Sequence, residues 1–279
     1  MFAFIAAVLQ ATSTIIDKAF FNASHKGYQT YVAISFPLVA LFSGFAFFWF
    51  DIPFHFGTFV EVSGVLFLVS VLITFGGNMF YYRAMAVDAV YEVQLIGLLH
   101  NFPVIILSSL LFTGERHMTT IIAATIAVLA VIWSHIDSSQ IRLEPKTKQF
   151  LLYEMAVSPF GVVAAKVLLE TIHPIAFEFL RTFALAILVA PLFISYIAPV
   201  STKGVLLLIS TNIITTIAWI LYFYSIQQLG ILSSVLIFSI QPLLVYMGSA
   251  LLLKERFEWK KAVALVVVIC AISINELFR

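Results

Sequence analysis

Charge is the scarcest property of this sequence. Only 10% of its 279 residues are Asp, Glu, Lys or Arg, and the formal net charge is +1. Without a basic surplus to neutralise phosphate groups, the composition argues against nucleic acid as a partner. Cysteine occurs once, as Cys270, so no disulfide can form within the chain.

Catalytic motifs are missing as well. The sequence contains no HExxH, GxSG, GxGD or P-loop pattern, and its six His residues lack the spacing of metal ligands. We therefore predict that the protein is not an enzyme and holds no cofactor and no metal.

Apolar residues are abundant by contrast. They make up 62% of the chain, with 28 Phe, which is far more than a soluble core of this size could bury. A bilayer core of about 30 Å needs roughly 20 apolar residues of helix. Ten such runs follow one another, at residues 2–22, 28–50, 59–82, 89–112, 118–136, 150–169, 174–197, 204–227, 231–253 and 259–277. The first run has no basic flank and no cleavage site, so we expect a retained helix and not a signal peptide.

The ten predicted spans divide into two equal halves. The polar segment DSSQIRLEPKTKQ, residues 137–149, lies between spans five and six, so we predict repeats at 1–136 and 150–279 joined by this linker. Markers recur in the same order in both halves: Lys18 and Lys166, His25 and His173, Pro103 and Pro242, Glu115-Arg116 and Glu255-Arg256. Because five is odd, the second half must enter the membrane inverted. The predicted fold is an all-α membrane protein of ten transmembrane helices in two inverted five-helix repeats, which points to transport through a site between the halves.

Several segments resemble a known family. YYRAMAVDA closes span three, LLFTGERH follows span four with its internal proline, FEFLRTFALAIL opens span seven and LLLKERF precedes span ten. Together they resemble the EamA-like branch of the drug/metabolite transporter superfamily. The resemblance implies a permease, often an exporter, for small organic metabolites such as amino acids or drug-like solutes. It would be a multi-pass protein of the plasma membrane, monomeric or homodimeric. A flippase for a lipid-linked intermediate and a channel remain alternatives.

Polar residues at helical spacing are candidates for contact with the solute. Ser70, Thr74, Asn78 and Tyr81 share one side of span three. Span eight repeats the pattern with Thr211, Thr215, Trp219 and Tyr222, and Gln241 adds a polar face on span nine. Such residues also act as interhelical glue or interfacial anchors, but two matched stripes equally fit two walls of one cavity.

Ionisable residues inside spans are the second group of candidates, because unpaired charge is costly in lipid. Glu92, His100 and Glu154 could bind a substrate amine or a coupling proton, although a half-buried carboxylate at a helix end explains either acid equally well. Glu178 and Arg181 are three residues apart and could form a local ion pair or hold a substrate carboxylate.

Two lysines, Lys18 and Lys166, lie near helix ends, where a long side chain can extend to water. Their matching positions in the two halves leave a gating role open.

Basic residues in the loops predict which side is cytoplasmic. Outside the spans, two Lys or Arg lie on the side of both termini and ten on the other. The positive-inside rule therefore places the turns of Lys146 and Lys260 in the cytoplasm. The resemblance implies the reverse orientation.

Overall fold

Every regular element is a helix in the part of the chain that the structure describes. The structure is a computed structural model and describes residues 1–24, 27–53, 57, 62–88, 90–115, 117–135, 144–252 and 259–278. The α-helices are α1 Phe2–Ser24, α2 Tyr28–Trp49, α3 Val62–Met85, α4 Val90–Gly97, α5 Asn101–Leu111, α6 Met118–His135, α7 Pro145–Ala156, α8 Ser158–Leu169, α9 Pro174–Phe193, α10 Thr202–Leu229, α11 Ile231–Phe238, α12 Gln241–Leu252 and α13 Trp259–Phe278.

Six helical stretches in this described part are long and apolar enough to cross a bilayer. They are Phe2–Ala23, Tyr28–Trp49, Ser63–Met85, Pro174–Tyr196, Thr202–Leu229 and Ile231–Leu252. The bent pair α7 and α8 makes a seventh if it counts as one span, and shorter apolar helices lie at Asn101–Leu111, Met118–Ser134 and Ala262–Asn275. Large apolar side chains such as Leu41, Phe45 and Leu251 are exposed on the outside. This surface suits lipid and not water, so the protein is an integral multi-pass membrane protein.

Proline breaks the helices that correspond to spans four and nine. The backbone between α4 and α5 is a 3-10 turn, Leu98–His100, which precedes Pro103. Ser239 and Ile240 separate α11 from α12 just before Pro242. A proline ring removes one backbone N–H and blocks the carbonyl four residues earlier. The two breaks therefore occur at equivalent places for the same reason.

The region of span six differs from the expected straight helix starting at residue 150. Helix α7 already begins at Pro145, inside the predicted linker 137–149, with Glu144 as its N-cap residue. Proline is favoured in a first helical turn, which explains the earlier start. Between α7 and α8 the axis bends by 44°, and Pro159 lies in the first turn of α8.

Helices α2 and α9, which correspond to spans two and seven, pack antiparallel. At one end the Thr30 hydroxyl donates to the Tyr196 carbonyl at 2.7 Å. At the other end the Phe47 and Phe179 rings stack with centroids 5.2 Å apart. The start of each helix therefore lies beside the end of the other.

Helices α6 and α13, which correspond to spans five and ten, show the same relation. The Thr120 hydroxyl donates to Asn275 Oδ1 at 2.7 Å, and the Trp133 and Trp259 rings meet edge-on with centroids 6.1 Å apart at the opposite end. Across the halves, α1 packs on α10 and α3 packs on α7 and α8. Each first-half helix named here thus contacts the second half, and a cavity forms where the halves meet.

Candidate functional site

A cavity of about 290 Å³ lies between the two halves. Its walls come from both halves: α1 to α5 on one side and α7 to α12 on the other. Of the residues singled out in the sequence as solute contacts, those that line it are Asn78, Tyr81, His100, Glu154, Thr215, Trp219, Tyr222 and Gln241. Glu92 lies on α4, and its side chain is outside the described residues.

The stripe on α3 forms one wall. Ser70, Thr74, Asn78 and Tyr81 all line the cavity. The Asn78 amide donates to the Thr74 carbonyl one turn earlier at 2.8 Å, which holds its side chain along the helix. Glycine lets a second-half helix reach this wall, because a Cβ at Gly76 would lie within 2.7 Å of the ring carbon that bears the Tyr153 hydroxyl.

The stripe on α10 forms an opposite, aromatic wall. The Trp219 and Tyr222 rings meet edge-on with centroids 5.5 Å apart, and the Phe238 ring of α11 lies 4.6 Å from that of Tyr222. Thr215 completes the lining on this helix. Thr211, the first residue of the stripe, does not line the cavity; it is fully buried against α1. One turn of helix therefore carries the stripe from the cavity into the protein interior.

A glutamine bridge crosses the cavity from one half to the other. Gln241 of α12 donates to Gln94 Oε1 at 3.0 Å, and Gln94 of α4 donates in turn to the Tyr81 hydroxyl at 2.5 Å. Gln94 was missed in the sequence because a single neutral amide in an apolar helix gives no periodic pattern. Its position beside Glu92 in span four was the one available signal.

An acid and a base from different halves meet at the cavity. His100 Nδ1 lies 3.8 Å from Glu154 Oε2 and 2.5 Å from the Gly97 carbonyl. A carbonyl only accepts, so Nδ1 carries the hydrogen in that contact. The turn before α5 directs the His100 ring towards α7, so the structure brings together two of the candidates singled out in the sequence, His100 and Glu154. Protonated His100 would neutralise this carboxylate.

A buried ion pair occupies another part of the wall. Arg181 Nη2 donates to Glu178 Oε2 at 2.6 Å, within α9. The guanidinium carbon lies 5.1 Å from the Trp219 ring centroid and 4.6 Å from that of Phe223. Glu178 Oε1 and Arg181 Nε are buried without a hydrogen-bond partner in the part of the chain that the structure describes. One acceptor and one donor thus stay unused in residues that line the cavity.

The two symmetric lysines do not line the cavity. Lys18 Nζ donates to the carbonyls of Met85 at 3.0 Å and Asp88 at 2.8 Å, where α3 ends. Lys166 Nζ donates to the Ile226 carbonyl at 3.3 Å, in the last turn of α10. Each ammonium group therefore binds carbonyls at a helix C-terminus. This contact suits the negative end of the helix dipole, and both halves repeat it.

Comparison with known proteins supports a transporter. Residues 150–276 match the sequence profile of the EamA-like transporter family. No curated protein matches the chain. Among solved structures 29 chains match. One of them, a crystal structure, superposes with a TM-score of 0.75 at 14% identity and covers 99% of this chain and 96% of its own. At that identity the likeness shows a shared fold and nothing of the solute.

Proposed function

We propose that the protein is a permease of the drug/metabolite transporter superfamily for small organic solutes such as amino acids or drug-like metabolites, because residues 150–276 match the EamA-like transporter family. The match to this family points to a transporter rather than an enzyme. We place it in the plasma membrane, as a monomer or homodimer, with residues 1–136 as a first EamA-like repeat and 150–279 as the second.

The antiparallel packing of equivalent helices supports two inverted five-helix repeats and alternating access. Helix α2 lies antiparallel to α9, and α6 to α13. If each broken pair counts as one span, these are members two and five of each half. Two copies related by an axis in the membrane plane would produce this pairing. Rocking one copy against the other would open a site between them to each side in turn.

The single observation that carries the proposal is the cavity between the two stripes. Its volume of about 290 Å³ lies near the lower end for small-molecule sites, which run from about 300 to 1,000 Å³. A solute of amino-acid size fits. The aromatic wall of Trp219 and Tyr222 favours an apolar or ring-bearing part of the solute. Glu154 would hold a cationic group or a proton, and Asn78 and Gln241 would orient the solute by hydrogen bonds.

The test is uptake and efflux by the purified protein in proteoliposomes, across a pH series and a panel of radiolabelled amino acids and organic cations. We expect Trp219→Ala to reduce transport about five- to thirtyfold, since it removes aromatic contact worth about 1–2 kcal/mol. Glu154→Gln and Glu92→Gln keep side-chain size and remove charge, so each separates charge from shape. Matched controls are Trp49→Ala and Glu170→Gln, at exposed positions outside the cavity.

The panel also contains a fluorescent lipid, whose movement would indicate the flippase instead. If a solute is transported and Trp219→Ala, Glu154→Gln and Glu92→Gln all carry it like the parent at every pH, the site lies elsewhere and the assignment is wrong.

A further inference from the structure

A buried carboxylate lies behind the cavity wall, on α1. Asp17 is 3% exposed and is not among the residues that line the cavity. Its Oδ1 accepts hydrogen bonds from the Tyr31 hydroxyl of α2 at 2.5 Å and from Thr211 Oγ1 of α10 at 2.6 Å. Asp17 thus joins two helices of the first half to one of the second.

Asp17 has no ion-pair partner in the described part of the chain, where the salt bridges involve other residues. The titratable groups that face it are the hydroxyls of Tyr31, Tyr81 and Tyr82. The ammonium group of its neighbour Lys18 is held by carbonyls at the end of α3. Burying an ionised carboxylate without a cation is costly, and two hydroxyl donors offset only part of that cost. A carboxyl group in this setting exchanges its charge for a proton readily.

Asp17 shares a polar face of α1 with a residue of the cavity wall. Gln10, Thr14 and Asp17 follow at intervals of four and three, so they share one face of α1. Gln10 lines the cavity. The Thr14 side chain is hydrogen-bonded to Tyr81, which lines the cavity. Gln10 Oε1 is buried and has no hydrogen-bond partner among the described residues, and a buried polar atom is normally hydrogen-bonded. Asp17 lies outside the cavity and is 3% exposed, which leaves no room for an organic solute beside it, so a proton is the ligand that fits.

We propose that Asp17 is a proton-binding site, separate from the solute site, that couples proton movement to the change of access. The coupling rests on the proposed transport function; the binding of the proton does not.

Protonation adds one H⁺ to the carboxylate and removes its charge. Hydrogen bonds to a charged acceptor are roughly twice as strong as neutral ones. The ionised form therefore holds α1 tightly to α2 and α10, whereas the neutral form loosens this junction between the halves. The proton enters from the cavity on one side of the membrane and leaves when the cavity faces the other.

The direct test is infrared spectroscopy of the full-length protein in lipid across a pH series. We expect the C=O stretching band of a protonated carboxyl to titrate in the parent and in Glu154→Gln. One component of that band should be absent in Asp17→Asn. In Thr211→Val the same component should move to higher frequency, since its oxygen loses a hydrogen bond. An Asp17→Asn spectrum that titrates like the parent would overturn the proton site.

Transport tests the coupling. A pH gradient should change solute accumulation several-fold in the parent and in Glu170→Gln, and should have no effect in Asp17→Asn. Gradient dependence that survives in Asp17→Asn rules the coupling out. If the parent moves no solute but the Asp17 band still titrates, then the proposed transport function has failed and the proton site stands.

Discussion

Replacing Glu115 should destabilise the protein, because its side chain is hydrogen-bonded to two helices, near the end of α5 and at the start of α11. Its carboxylate accepts both backbone N–H groups at the start of α11, from Ile231 at 2.9 Å and Leu232 at 3.0 Å. It also accepts the hydroxyl of Ser108, one turn before the end of α5, at 2.8 Å. Glu115 therefore caps a second-half helix from a turn in the first half.

The magnitude follows from those three contacts. A hydrogen bond to a charged group contributes about 1.5–3 kcal/mol, and a simple N-cap side chain about 0.5–2 kcal/mol. Water can reach part of this turn and replace some of the lost acceptors. We therefore expect Glu115→Ala to lower the free energy of unfolding by about 2–4 kcal/mol. At about 2 °C per kcal/mol for a chain of this size, the unfolding temperature should fall by about 4–8 °C.

The assay is thermal unfolding in detergent, followed by the fluorescence of the Trp residues. Glu115→Gln keeps the size and one acceptor oxygen and should give an intermediate loss. Glu170→Ala, an exposed carboxylate at the end of α8, is the matched control. If Glu115→Ala unfolds within about 1 °C of that control, the cap contributes nothing and the reasoning is refuted.

Three further predictions concern the backbone, pH and orientation. Gly230 has φ +83°, and a Cβ there would lie 2.6 Å from Glu115 Oε1. Gly230→Ala should therefore lower the free energy of unfolding by at least about 1–3 kcal/mol, as measured by thermal unfolding. The loss should be smaller in a protein that already carries Glu115→Ala. His173 lies outside the spans, and burial lowers the pKa of its imidazole. The neutral form therefore stabilises the folded state above the ordinary pKa of about 6.5. This contribution is lost as the pH falls through the lower pKa of the folded state. His173→Asn should therefore flatten the acid limb of a stability profile, and an unchanged limb would contradict this. Cysteine labelling of intact cells should modify Glu276→Cys and not Ser139→Cys if the charge count gives the right orientation; the opposite result would show that the count misleads.

The sequence predicted helix positions better than helix partners. Long apolar runs predicted the six stretches that are long and apolar enough to cross a bilayer, because lipid requires about 20 apolar residues to cross, whatever packs beside them. Pro103 and Pro242, which the sequence offered only as repeat markers, lie just after the breaks in the helices that correspond to spans four and nine, because ring sterics are local. The bend between α7 and α8 was missed, since Pro159 lies in a first helical turn and such a position carries no kink signal.

The contact partners of individual side chains were harder to predict, because tertiary packing determines them. Glu115 stood out as a charge in a short turn, but its partner Ile231 lies 116 residues away. The repeat predicted that Lys18 and Lys166 occupy equivalent positions, but it could not predict the carbonyls that each ammonium group binds. Water and a helix C-terminus both attract an ammonium group, and only the tertiary structure decides between them.

The same limit explains which residues of the cavity wall could be predicted from the sequence. Helical spacing placed Asn78 and Trp219 on their faces, but a face spans a wide arc, and Thr211 at the far end of its stripe meets Asp17 instead of the cavity. Structural contacts such as the lysine caps recur in both halves. Asp17 does not recur. The position that corresponds to it in the second half is Ala165, a residue of the cavity wall. In the proposed alternating-access mechanism both halves must move alike, whereas an asymmetric wall would let one solute bind in one orientation. The unmatched residues, Asp17 and Glu154 above all, are therefore the first positions at which to seek the solute and the proton.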